Sequence, residues 1–152
     1  MRSDVLNVNS NDFLKDSEGV MVAKIHAVLS DFTDGGGTTG TYASGVVIPK
    51  GAIVLNSMIE IIEETGASTL TCEIGDGSDA DRFNASSDPS LDTVGIVSGG
   101  APQGTALCTS DASITLTLTE GDDFTDVTAL DFRLYIYYYL PAEFQTQKDS
   151  LY

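Results

Sequence analysis

Ala112-Ser113-Ile114-Thr115-Leu116-Thr117-Leu118-Thr119 alternates apolar and hydroxylated side chains without a break. Side chains of an extended strand point to opposite faces in turn, so this octet puts Ile114, Leu116 and Leu118 on one side and four hydroxyls on the other. A helix would scatter the same residues around its axis. The segment therefore predicts a strand with one buried and one wetted face, bounded by the turn at Gly121-Asp122-Asp123.

The same period runs through the flanking segments. In 129–140 (ALDFRLYIYYYL), Leu130, Phe132, Leu134, Ile136 and Tyr138 form a core face. Asp131, Arg133, Tyr135, Tyr137 and Tyr139 form the other face, and Pro141 ends the run because it lacks an amide donor. In 69–74, Leu70, Cys72 and Ile74 point inward. Residues 52–63 are apolar on both sides, with Ile53, Leu55, Ile59 and Ile61 on one and Val54, Met58 and Ile62 on the other. Such a strand lies inside a sandwich or under a neighbouring subunit. Residues 20–30 fit a strand with Met21, Ala23, Ile25, Ala27 and Leu29 on one face. Ile25, Leu29 and Phe32 also fit a helical stripe, and Val20, Val22 and Val28 favour the strand. Short strands are expected at 41–48, ending in the Pro49-Lys50-Gly51 turn, and at 93–98. Asp34 to Gly40 reads as a long flexible loop. The sum is about seven or eight strands in one all-β domain, an antiparallel β-sandwich with a jelly-roll-like path. The expected organisation is an N-terminal arm over 1–19, a sandwich domain over 20–140 and a polar tail over 141–152.

Charge narrows the function. The chain has 23 acidic and 7 basic residues, a formal net charge of -16. That field repels nucleic-acid phosphates and anionic membrane surfaces, so neither is an expected partner. It serves solubility, or docking onto a basic protein surface. No secretion signal or membrane-spanning run is expected from the sequence. Cys72 and Cys108 lack zinc-ligand spacing. Cys72 reads as a buried thiol, and a bridge to Cys108 requires neighbouring strands.

No catalytic constellation is present, and no enzyme is expected. The single histidine, His26, stands alone in a strand, and no nucleophile elbow or phosphate loop follows any strand. Asp76-Gly77-Ser78-Asp79-Ala80-Asp81 spaces oxygen side chains around a glycine turn. Calcium takes six to eight such oxygens, so Asp76, Asp79 and Asp81 are candidate ligands, against the plainer reading of an acidic loop. No other cofactor is expected. Asn84-Ala85-Ser86 matches a glycosylation sequon, a pattern frequent by chance. Tyr135, Tyr137 and Tyr139 form an outward aromatic row. Three readings stand for it: packing under the chain's own loops or arm, a subunit interface, or a sugar platform. With the two-faced strand 52–63, the row points to a homo-oligomer.

Three segments together carry a family resemblance. They are Gly45-Val46-Val47-Ile48-Pro49-Lys50-Gly51-Ala52-Ile53-Val54, then Leu70 to Phe83 with its Ile74-Gly75-Asp76-Gly77 core, then Leu134-Tyr135-Ile136-Tyr137-Tyr138-Tyr139. Over roughly residues 20–140 the chain resembles small virion structural proteins of tailed bacteriophages, similar to capsid decoration (cement) proteins. The resemblance implies a β-sandwich, a homotrimer, the major capsid protein as partner and a place on the capsid exterior. It transfers no functional residues. Similar segments occur in fibre modules, so a receptor- or carbohydrate-binding module is the alternative.

Overall fold

The computed structural model describes residues 20–67, 69–84, 89–102 and 106–141. The predicted arm, and the predicted tail apart from Pro141, lie outside the described residues. The chain forms eight strands: β1 (Val20–Val28), β2 (Thr33–Asp34), β3 (Thr39–Ile48), β4 (Ile53–Glu63), β5 (Leu70–Gly75), β6 (Gly95–Gly100), β7 (Ala112–Glu120) and β8 (Asp131–Tyr139). They make two antiparallel sheets. The front sheet has the order β1-β8-β4-β6, and the back sheet β2-β3-β7-β5. Apart from the β2–β3 hairpin, every connection carries the chain from one sheet to the other, and the two sheets pack as the expected antiparallel β-sandwich.

Period-two patterning accounts for the core. Ile114, Leu116 and Leu118 of β7 face Phe132, Leu134 and Ile136 of β8, and all six side chains are buried. Each such side chain contributes about 1.5–3 kcal/mol through removal from water. Phe32, Phe124 and Phe132 close one end with ring centroids 6.3–6.5 Å apart. Residues 20–28 are strand, as the valines favoured, and a single 3-10 turn follows at Leu29–Asp31. Met21, placed on the core face by its period, sits at the strand's open end and is exposed.

Two expectations change. The Asp34–Gly40 loop is a tight hairpin: Thr33 pairs with Thr41 and Asp34 with Gly40. The Asp34 carboxylate accepts the Gly36 amide at 2.8 Å, and Gly36 and Gly37 supply the positive φ the turn needs. The facing of β4 also differs. Register shifts between Val54 and Asn56, and again between Ile61 and Glu63, insert Leu55 and Ile62 as extra residues. Each bulge reverses the phase of the alternation. Val54 therefore faces inward with Ile59 and Ile61, while Ile53 and Leu55 face outward with Met58.

The two edges of the back sheet are handled differently. At one edge stands the two-residue β2. At the other, residues 83–84 and 89–92 lie along β5: Cys72 N donates to Pro89 O at 3.1 Å, Leu91 N to Leu70 O at 2.8 Å, and Phe83 N to Ile74 O at 2.8 Å. Asn84, fully buried, completes this cover by accepting the Ile74 amide through Oδ1 and donating to Cys72 O at 3.0 Å. A strand edge so covered has no free backbone to offer another chain. Asn84 is thereby inaccessible to glycosylation.

Candidate interaction face

The outer face of the front sheet is organised around β8, which is paired on both sides. Antiparallel register sets its rungs: Val20–Tyr139–Ile53, Val22–Tyr137–Asn56, Lys24–Tyr135–Met58–Ser98 and His26–Arg133–Glu60–Ile96. The predicted tyrosine row is thus brought together on one face, each ring half-buried between side chains of β1 and β4. Sequence reading named the three tyrosines but not their apolar neighbours. Val20, Val22, Ile53, Leu55 and Met58 are all exposed here, and Ile96 is 68% exposed. The signal was present in the valines of β1, which alternate against its buried alanines. The bulge at Leu55 hid the rest.

Polar groups on this face partner one another. His26 Nε2 lies 2.8 Å from Asp131 Oδ1, and Arg133 Nη1 donates to Glu60 Oε2 at 3.3 Å. Tyr135 Oη donates to the same Glu60 oxygen at 3.2 Å. These are exposed contacts that each contribute little to stability, but they cancel charge locally. A depression of about 250 Å³ opens between Met58, Glu60, Ile96, Tyr135 and Tyr137.

The back sheet presents a different outer face. Thr41, Thr115, Thr117 and Thr119 point away from the core there, a hydroxylated surface suited to water. Acidic residues gather at one end of the sandwich, in its turns and the strand ends beside them: Asp31, Asp34, Glu63, Glu64, Asp122, Asp123 and Asp126. No lysine or arginine lies in those turns. The Asp123 carboxyl is held below its usual range by the Thr125 amide and hydroxyl.

The Asp76–Asp81 loop sits at the opposite end, and its geometry is that of a latch. A Cβ on Gly75 would overlap the Asp79 carbonyl, so the loop can fold tightly back only on glycine. Asp76 Oδ1 accepts the Ser78 amide at 2.9 Å, the Ser78 hydroxyl at 2.7 Å and the Asp79 amide at 3.0 Å. Its Oδ2 pairs with Arg82 Nη1 at 2.5 Å, and Arg82 Nη2 reaches Leu107 O at 3.0 Å. Arg82 also lies over the Phe83 ring, 4.9 Å from its centroid. Burial pushes the Asp76 carboxyl up, but the donors from Ser78, Arg82 and Asp79 outweigh it, leaving a pKa of about 2. The Asp79 carboxyl is pushed up, chiefly by its hydrogen bond with Asp81. Asp79 and Asp81 thus meet each other, while Asp76 turns to Arg82. Among the described residues no three acidic, histidine or cysteine side chains converge as a metal site would require. Cys72 and Cys108 are both buried and no disulfide joins them.

No protein-family model matches this chain, and neither does any curated protein. Two solved structures share its fold. One is a chain of the capsid asymmetric unit of cyanophage Pam1: TM-score 0.54, 21% identity, 80% of this chain and 85% of that one covered. The other is a chain of the acidic stable capsid structure of Helicobacter pylori bacteriophage KHP30: TM-score 0.51, 21% identity, 80% of this chain and 88% of that one covered. At this identity the likeness is one of fold.

Proposed function

We propose that this chain is a bacteriophage virion structural protein, specifically a capsid decoration (cement) protein. It associates as a homotrimer and binds the major capsid protein on the outer surface of the head. The observation that carries the reading is the apolar, tyrosine-lined outer face of the front sheet, on a sandwich shared with chains from two phage capsid structures. A monomer rarely leaves so continuous an apolar face in water. The acidic end supplies what a basic patch on an assembled shell would meet. A protein that binds the closed shell but not its separated subunits stabilises the shell by mass action, without chemistry. The non-enzymatic part of the reading is supported by His26, whose Nε2 is taken by Asp131 on an exposed strand beside Arg133.

The test is cosedimentation with undecorated capsids, together with protein identification in purified virions. Binding that saturates at a fixed ratio to capsid protein, and raises the temperature at which the shell opens, is the expected result. Absence of the chain from virions would overturn the proposal.

A second reading is favoured by the depression between Tyr135, Tyr137 and Glu60, where an aromatic floor stands beside a carboxylate acceptor. A carbohydrate- or receptor-binding module of a fibre would use it to stack a sugar ring. Glycan binding that disappears in Tyr137→Ala, with capsid binding absent, would replace decoration by this reading.

A further inference from the structure

We propose that the outer face of the front sheet is where copies of this chain meet one another, and that capsid docking uses other, acidic surface. This rests on the oligomeric half of the reading above and assigns it to a surface. Two independent contrasts lead there.

The first contrast is between the two outer faces of one sandwich. The back face carries Thr41, Ser113, Thr115, Thr117 and Thr119, which water satisfies, and Val47 stands on it as a single exposed valine beside Ser113. The front face carries Val22, Met58 and Ile96 around the tyrosine row. Both sheets have equally apolar inner faces, so packing of the sandwich does not require the difference. A partner for the front face does.

The second contrast is electrostatic, and it selects the occupant. With a formal charge of -16, two copies repel wherever acidic surfaces approach within a Debye length, about 8 Å at physiological salt. On the front face the charges are nearly balanced: Lys24, His26 and Arg133 stand among Glu60 and Asp131, with His26–Asp131 and Arg133–Glu60 paired within the chain. The acidic turns lie off this face, at the end of the sandwich. A second copy can therefore approach here with little repulsion and bury apolar surface against apolar surface. A basic capsid patch would find no net charge on this face to meet.

The two contacts respond to salt in opposite directions. Salt screens the residual repulsion between copies and tightens self-association, whereas it weakens docking of an acidic surface on a basic one. The experiment measures native mass by sedimentation equilibrium across a salt series, with capsid cosedimentation in parallel. Wild type is expected to associate more tightly as salt rises. Ile96→Glu and Met58→Glu, both at exposed positions, are expected to weaken self-association by about tenfold or more. Thr41→Glu, which adds the same charge to the back face, is expected to leave the mass unchanged. A single-chain mass at every salt concentration overturns the inference, whether the chain's own terminal residues or nothing covers the face. So does an undiminished oligomer in both front-face variants. If those variants keep the oligomer but lose the capsid, the face belongs to the capsid partner and the decoration reading stands. If they dissociate while wild type ignores capsids, the assignment of the face to self-association stands, and the capsid-docking half falls with the decoration reading.

Discussion

Asp76 spends all its acceptor capacity inside its own loop. Its carboxylate has a folded pKa of about 2 against 3.8 for the free group, so the unfolded chain binds the proton more readily. Stability from this group is therefore complete above about pH 4 and is lost as pH falls toward 2. Its size is of the order of 2 kcal/mol. Asp76→Ala should remove that increment, and denaturant unfolding of variant and parent should converge at about pH 2 while differing near neutrality. The same geometry bears on calcium. Binding a cation at Asp76, Asp79 and Asp81 requires Arg82 to leave Asp76, so melting temperature is expected to be the same in chelator and in millimolar calcium. A rise with calcium would show that the exchange occurs. At this scale the sequence was legible in residue type but not in partner. Three aspartates around a glycine turn read as a plain acidic loop, with a cation site as the lesser alternative. What the sequence did not show is Arg82, six positions on, folding back onto Asp76. The structural role of Asn84 went unread as well, because nothing local marks an asparagine that replaces a strand's backbone partners.

Among the elements, β4 is where alternation misled and where a mutation pair tests the outcome. Leu55 and Ile59 share a face by simple counting, but the bulge places Leu55 in solvent and Ile59 in the core. Ile59→Ala should cost about 2–5 kcal/mol through the cavity it leaves. Leu55→Ala should lie within about 0.5 kcal/mol of the parent monomer's stability, as exposed positions do. Equal costs in urea unfolding would restore the unbroken strand. Strands without a bulge between their core residues, β5, β7 and β8, were read correctly side chain by side chain, because a period of two leaves no freedom once register is unbroken. β2 was missed because two residues carry no period. The tyrosine row was legible, but the breadth of its face was not. Ile53, Leu55 and Ile96 reach it through a phase reversal and a glycine-rich edge strand, neither of which announces itself in sequence.

On the scale of the whole molecule, charge is the dominant asymmetry. The acidic turns repel one another at one end of the sandwich, and the compact state concentrates that repulsion. Moderate monovalent salt should therefore raise the melting temperature, measured below the concentration at which copies associate. A flat response would mean that the acidic turns are too well solvated to matter.

The pairing of β1 with β8, residue against residue from Val20–Tyr139 to Val28–Asp131, has a consequence for folding. β1 finds its only described strand neighbour in β8, so loop closure spans nearly all the described residues before that ladder can form. A chain lacking β8 holds an incomplete sheet, exposing apolar side chains and unpaired strand backbone. Truncations anywhere before Asp131 should therefore yield protease-sensitive material rather than a smaller domain.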